Sequence, residues 1–189
     1  MLDGGWLVDC GDVEPILPLL DGPLQGVLLT HGHFDHIYGL NDLCGRFPEA
    51  LVYCSAWARR QLLDAKLNLS YYHETPFEFA WPDRIVVVED GEALDLGNGH
   101  AVTAVATPGH TPGCITWMTH DTLFTGDAYI PGIKVVTNLP YGDKPLAAQS
   151  VALIRSLADE GRTIYAGHSV DDLSEPNLQL GKSPIRKNL

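Results

Sequence analysis

Apolar residues along this chain fall in short runs, separated by turns rich in glycine, proline and aspartate. Runs of that kind predict buried strands more often than long helices. Trp6-Leu7-Val8 predicts a strand ending at Asp9-Cys10-Gly11-Asp12, and Val27 to Thr30 predicts a second. A helix is expected from Tyr38 to Phe47, stopped by Pro48, because proline cannot continue one. Leu51 to Cys54 returns as a strand, and Ser55 is placed to cap a helix reaching about Leu63. Residues 64–83 are rich in aromatic residues and proline and show no period. A connection that long is expected to be functional or to carry a short helix of its own.

From Arg84 onward the pattern becomes strand-dense. Ile85 to Val88 predicts one strand, and Ala93 to Leu96 and Ala101 to Thr107 flank Gly97-Asn98-Gly99, residues that accept a positive-φ hairpin turn. Cys114 to Met118 and Thr122 to Thr125 predict a second hairpin around His120-Asp121. Leu146 to Leu157 reads as an amphipathic helix, with Pro145 at its start and Gly161 beyond its end. Arg162 to Ala166 predicts a last strand, running into Gly167-His168. No repeat or linker interrupts the pattern, so residues 1–189 are expected to form one domain of sheets covered by helices.

Composition narrows the function classes. The apolar runs fall far short of the roughly 20 residues that span a bilayer. The start, Met1-Leu2-Asp3-Gly4-Gly5, lacks the basic and apolar regions of a signal peptide, so the expected location is cytoplasmic. Acidic residues outnumber basic ones 24 to 12, a net charge of -12, which argues against nucleic acid as a partner. Lys182, Arg186 and Lys187 read as a solvated tail. Cys10, Cys44, Cys54 and Cys114 are scattered among apolar neighbours without Cys-x-x-Cys spacing, which predicts buried free thiols.

The chemistry concentrates in His31-Gly32-His33-Phe34-Asp35-His36. A buried histidine needs partners for both ring nitrogens, and three together are costly unless something binds them. A divalent metal does so, because imidazole nitrogen and carboxylate oxygen are its ligands. His31 and His33, two apart on an extended segment, would point the same way, while Asp35 and His36 would turn toward a second position. One or two metals are therefore implied. Four more places put a metal-type ligand in a glycine-containing turn at a strand end: Asp9, His110 within Thr107 to Gly113, Asp127 after Gly126, and His168 after Gly167. Singly, each would pass as an ordinary turn residue; jointly, they form a constellation. By the same standard the lone His73, His100 and His120 read as structural.

Through Thr30 to His36, His110, Asp127 and His168, in that order, the chain resembles the metallo-beta-lactamase superfamily of metal-dependent hydrolases, from Asp9 to His168. The resemblance implies an α/β fold, a four-layer αβ/βα sandwich of two mixed sheets with helices outside and the site at one edge. It implies two divalent metals, zinc first, with iron or manganese also suited to these ligands. His31, His33 and His110 would bind one, Asp35, His36 and His168 the other, with Asp127 bridging and Asp9 orienting the loop from behind. Two metals about 3.5–4 Å apart share a water and lower its pKa, giving hydroxide for attack on a carbonyl or phosphoryl group. Asp35, Asp127 and Tyr129 are then the candidate catalytic side chains; Tyr129 would either donate to an oxyanion or pack under the Ile130-Pro131-Gly132 loop. Tyr71 and His73, in the long connection, are the candidate substrate contacts.

Within the superfamily, Leu123 to Asp127, Pro131-Gly132, Asn138-Leu139-Pro140 and the histidine of the final motif are most similar to the glyoxalase II-like branch, which cleaves thioesters such as hydroxyacylglutathione. The expected activity is hydrolysis of a small ester, thioester or lactone. Three departures stand against a full match. Only 21 residues (189 minus 168) follow His168, too few for the helical glutathione-binding domain of that branch. Lys134 stands near where relatives often have arginine. The usual first strand is not expected before Trp6, which predicts an exposed sheet edge suited to a homodimer. Two other readings are a mononuclear-iron persulfide dioxygenase of the same fold, using His31, His33 and His110, and a non-catalytic binding protein.

Overall fold

A computed structural model describes residues 4–20 and 22–168; the basic trio Lys182, Arg186 and Lys187 lies outside them. Two sheets organise the chain. The first is parallel throughout, in the order β1 (Trp6–Val8), β2 (Gly26–Leu28), β3 (Leu51–Cys54), β4 (Ile85–Val87). The second runs β5 (Ala93–Gly97), β6 (His100–Ala106), β7 (Ile115–Met118), β8 (Thr122–Gly126), β9 (Thr163–Ala166), antiparallel until β9 joins β8 in parallel. Helices α1 (Phe34–Ile37), α2 (Leu40–Arg46), α3 (Ala56–Leu62) and α4 (Lys144–Ala158) fill the connections.

Strand alternation explains the layering. Leu28 points between the sheets, where it packs with Trp6, Val102, Ala104, Ile115 and Trp117. Its neighbours Val27 and Leu29 point outward, onto Ile37, Leu40, Leu43, Ala58 and Leu62 of α1, α2 and α3. On the other side Leu123 of β8 meets Ile154 of α4. The result is helix, sheet, sheet, helix, the expected four-layer sandwich. The two indoles tie the sheets together: Trp117 Nε1 donates to the Leu29 carbonyl at 3.0 Å and Trp6 Nε1 to the Leu96 carbonyl at 3.2 Å.

Ser55 caps α3 as expected, its Oγ accepting from the Ala58 N–H at 3.1 Å. At α4 the cap is Asp143, which accepts from the Leu146 N–H at 2.9 Å, so the helix begins two residues before the predicted Leu146. The helix expected from Tyr38 to Phe47 is instead two, α1 and α2, broken at Tyr38-Gly39. A Cβ at Gly39 would lie 2.5 Å from the Gly11 carbonyl oxygen, so the chain passes too close there for a side chain. The 97–99 turn has φ of 85°, 55° and 78°, as its residue types predict. Residues 64–83 carry two 3-10 turns, Ser70–Tyr72 and, at their end, Pro82–Arg84. All four cysteines are buried and free, and burial pushes the Cys54 thiol up to about 12 and those of Cys44 and Cys114 to about 11. Strand β1 pairs with β2 alone among the described strands, which leaves its other edge unpaired there. No helix of the described residues is long and apolar enough to cross a membrane.

Candidate metal centre

Five chain segments converge at one end of the two sheets. β1 ends at Asp9, whose φ of 56° is left-handed, a conformation that Asp tolerates better than most residues. β2 runs into the histidine loop; a Cβ at Gly32 would sit 2.6 Å from Gln61 Cβ, so glycine lets α3 pack directly on that loop. His33 occupies the N-cap of α1, and Asp35 and His36 form its first turn. The turn after β6 supplies His110, the end of β8 supplies Asp127, and the end of β9 supplies His168. Gly126, at φ +49°, lies flush against Thr30, and a Cβ there would collide with the Thr30 hydroxyl. At Gly167 a Cβ would lie 2.5 Å from His36 Cε1 and 2.8 Å from Asp127 Oδ1. These glycines let the last two motifs close onto the first.

The seven residues expected as ligands are thereby brought together in three overlapping groups: His31, His33 and His110; His31, His36 and Asp127; and Asp35, His36 and His168. Within each group the ligand atoms lie within 4.8 Å of one another, and each group could hold a metal ion. His110 Nε2 is 2.9 Å from His33 Nδ1. His168 Nε2 is 3.3 Å from Asp35 Oδ2, and His36 Nε2 is 3.9 Å from the same oxygen. Asp127 stands between them: its Oδ2 is 3.5 Å from His110 Nε2, while its Oδ1 is 3.4 Å from His36 Nε2 and 3.6 Å from His168 Nε2.

Three polar atoms at the centre, His31 Nε2, His36 Nε2 and Asp127 Oδ1, are buried without a hydrogen-bond partner. Leaving one such atom unpaired costs about 1–3 kcal/mol, more when it is charged. Folding alone gives no return for three of them facing one another. A bound cation does.

The opposite edges of the imidazoles are held. His36 Nδ1 is 2.8 Å from Asp9 Oδ2, and His110 Nδ1 is 2.8 Å from the Val136 carbonyl, which can only accept. Each bond fixes the tautomer that leaves Nε2 free toward the centre. Asp9 also accepts from the Thr30 N–H and the Thr30 hydroxyl, both at 2.7 Å, and that hydroxyl lies 3.2 Å from His31 Nδ1. Asp9 thus contacts the loop at Thr30 and His36 together. Thr30, Val136 and Gln61, whose Oε1 accepts from the Gly32 N–H at 3.2 Å, complete the support. Nothing local in the chain marks the last two.

Burial, reinforced by neighbouring imidazoles, drops His31 well below its ordinary value and His33 to about 3. Burial acts the same way on His36, but the carboxylates of Asp9 and Asp127 outweigh it and raise its value. The Asp35 carboxylate, accepting from His168 Nε2 at 3.3 Å, raises His168. Burial also works against ionising Asp35 and Asp127, yet His168 beside Asp35 and His36 beside Asp127, with the surrounding imidazoles, hold both below the usual carboxylate range. The site opens on the Asp35 side, where that side chain is 43% exposed and His168 17%.

The other expected residues fall outside this cluster. Tyr129 packs with the Leu123–Ile154 cluster, its ring centroid 5.4 Å from the Arg155 guanidinium of α4, so its contacts here are packing contacts. His73 stacks on Phe34, next to the ligand loop, and Tyr71 lies beside it in the chain, largely exposed. His100 and His120 are exposed at hairpin turns.

Solved structures share this fold. An archaeal metallo-beta-lactamase superfamily protein from Sulfolobus tokodaii is 28% identical over 86% of this chain and 69% of its own, with a TM-score of 0.69. The B3 metallo-beta-lactamase BLEG-1 is also 28% identical, over 89% of this chain and 83% of its own, at 0.74. TTHA1623, solved in a di-iron-bound form, shares the fold at 24% identity, over 86% and 80%, at 0.72. The sequence itself matches the Metallo-beta-lactamase superfamily over residues 5–168. The chain belongs to the metallo-beta-lactamase superfamily.

Proposed function

We propose that this protein is a hydrolase that holds two divalent ions, zinc first among them, and cleaves a small ester, thioester or lactone. The observation that carries the reading is the position of Asp127, with one carboxylate oxygen facing His110 and the other facing His36 and His168. A carboxylate divided between two imidazole groups suits a bridge. A single-iron site on His31, His33 and His110 would leave the buried His36 Nε2 without a partner.

His31 Nε2, His33 Nδ1 and His110 Nε2 would hold the first ion, and Asp35 Oδ2, His36 Nε2 and His168 Nε2 the second. When bound, such a pair supplies a water of lowered pKa and a Lewis acid for the carbonyl oxygen. The chain does the rest. The glycine turns at 126 and 167 and the bonds from Asp9 and Val136 keep the seven side chains from relaxing away from the centre. Asp35, held ionised, can take the proton of the attacking water through the carboxylate oxygen that does not hold the ion. Asp35, on the open side, can pass it to the departing alcohol or thiol.

A panel of thioesters, lactones, beta-lactams and phosphodiesters, assayed with the zinc-loaded protein and with Asp127→Ala, tests this reading. Turnover of a thioester, ester or lactone that Asp127→Ala abolishes is the expected result. Turnover unaffected by that change, or confined to phosphodiesters, would overturn it.

A further inference from the structure

The ligand loop carries a set of aromatic rings beside it that neither the ligands nor the core use. Phe34 lies between His33 and Asp35, and Tyr38 stands one helical turn further, on the same face of α1, with ring centroids 5.9 Å apart. His73 lies on Phe34, with centroids 3.9 Å apart and planes 35° apart. Tyr71 and Tyr72 precede it in the chain, edge to face at 5.5 Å. Tyr38, Tyr71 and Tyr72 are 60%, 53% and 80% exposed. Contiguous exposed aromatic surface is uncommon on a monomer and marks a contact made with something else. Phe34, which His73 and Tyr38 contact, immediately precedes Asp35, the exposed member of the ligand set.

This shelf is fastened in place. The Phe34 N–H donates to the Asn68 carbonyl at 2.9 Å, and the Gly32 N–H to Gln61 Oε1 at 3.2 Å. Asn68 Nδ2 donates to the Gln61 carbonyl at 2.9 Å and the Phe77 carbonyl at 3.0 Å, and its Oδ1 accepts from the Ser70 N–H at 2.9 Å. Gln61, Asn68 and Ser70 are all buried. Between them Leu69 is held at a left-handed φ of 71°, a strained conformation for a branched side chain that the network sustains. The connection from Asp64 to Ala80 is therefore built onto the ligand loop, and it presents its aromatic rings at a fixed distance from the metal-type ligands.

We propose that this shelf receives the acyl group of the substrate, and that the protein prefers esters or thioesters of apolar acyl groups over acetyl or anionic ones. The proposal rests on the hydrolase reading above. A substrate carbonyl at the centre would leave its acyl chain within reach of Phe34 and His73, because Phe34 is held in the ligand loop between His33 and Asp35 and His73 lies on its ring. The charge around the shelf argues against an anionic acyl group. Lys66, 5.2 Å from the Tyr71 ring, is a cation beside it, but Asp35 and Glu74 flank the rings and the chain carries a net charge of -12.

Thioesters of one thiol, from acetyl to octanoyl, test the proposal with the zinc-loaded protein, His73→Ala and Tyr72→Ala. A fully seated methylene is worth about fourfold in kcat/KM and a half-seated one about twofold, so six half-seated methylenes are expected to give on the order of a hundredfold between acetyl and octanoyl. The variants should cut that ratio to less than about tenfold, mainly through KM. Octanoate alone should shift the His73 imidazole resonances, a readout that needs no turnover. A flat series in the parent protein, or unmoved His73 resonances, would overturn the shelf while leaving the hydrolase reading intact. No turnover of any member, with His73 still shifted by octanoate, would overturn the hydrolase reading and support the shelf as an acyl-binding surface.

Discussion

Asp9→Asn should loosen one half of the metal centre more than the other. The carboxylate accepts three hydrogen bonds, two from Thr30 at 2.7 Å and one involving His36 Nδ1 at 2.8 Å. Asparagine keeps the shape and tolerates the left-handed φ of 56°, so the loop should stay in place while the charge is lost. Its amide cannot act as the strong common acceptor for both the Thr30 hydroxyl and the His36 N–H. Loss of such an outer partner costs metal affinity about 10–100-fold, or about 1.4–2.8 kcal/mol. That agrees with about 1.5–3 kcal/mol for one hydrogen bond to a charged group. His36 takes the loss directly, whereas His31 is reached only through the Thr30 hydroxyl at 3.2 Å. Competitive titration against a chromophoric chelator should show the weaker-binding zinc equivalent lost by that factor and the other held more nearly at its original affinity. Equal weakening of both, or of neither, would refute the orienting role assigned to Asp9.

Three further outcomes follow from the same geometry. His36, raised well above its ordinary value, keeps a proton at neutral pH in the metal-free chain, and His168, also raised, holds its proton to higher pH than a free imidazole; an imidazole binds metal only when neutral. Loading their ion should therefore release protons, and affinity should climb as pH rises through those values; His31 and His33, lowered by burial, are already neutral and should release none. Calorimetry in buffers of different ionisation enthalpy reads this directly, and buffer-independent heats for both equivalents would contradict it. Gly126→Ala, which drives a methyl into Thr30 at a φ of +49°, should cost about 2–4 kcal/mol in chemical denaturation; a loss under about 1 kcal/mol would show that the loop yields. Ser55→Ala removes the α3 cap and the 2.8 Å bond to the Gly113 carbonyl, and should cost about 1–2 kcal/mol by the same measurement; an unchanged midpoint would show that α3 does not depend on either bond.

Much of this fold and site could be read from local pattern, and what could not depended on distant partners. The short apolar runs marked the strands because each strand buries at least one face, and the histidine cluster stood out because folding does not ask for it. Turn chemistry worked where the demand was local, at Ser55 and at Gly97-Asn98-Gly99. It failed at Gly39, where nothing nearby in sequence shows that Gly11 will pass within contact and break the helix. Thr30 was visible as part of the motif, but its place between Asp9 and His31 depends on two strands lying side by side. Gln61 and Asn68 looked like ordinary polar residues of a helix and a loop. Only the folded chain shows them buried beneath Gly32 and Phe34. For Tyr129 the chain itself does not show that α4 brings Arg155 over its ring.

The account turns on Asp127 joining two ions, and metal stoichiometry tests that most directly. Zinc-reconstituted protein, freed of loose metal and analysed by plasma mass spectrometry, should hold about two ions per chain, and Asp127→Ala about one. One ion in the parent protein, or two held equally tightly without Asp127, would contradict it.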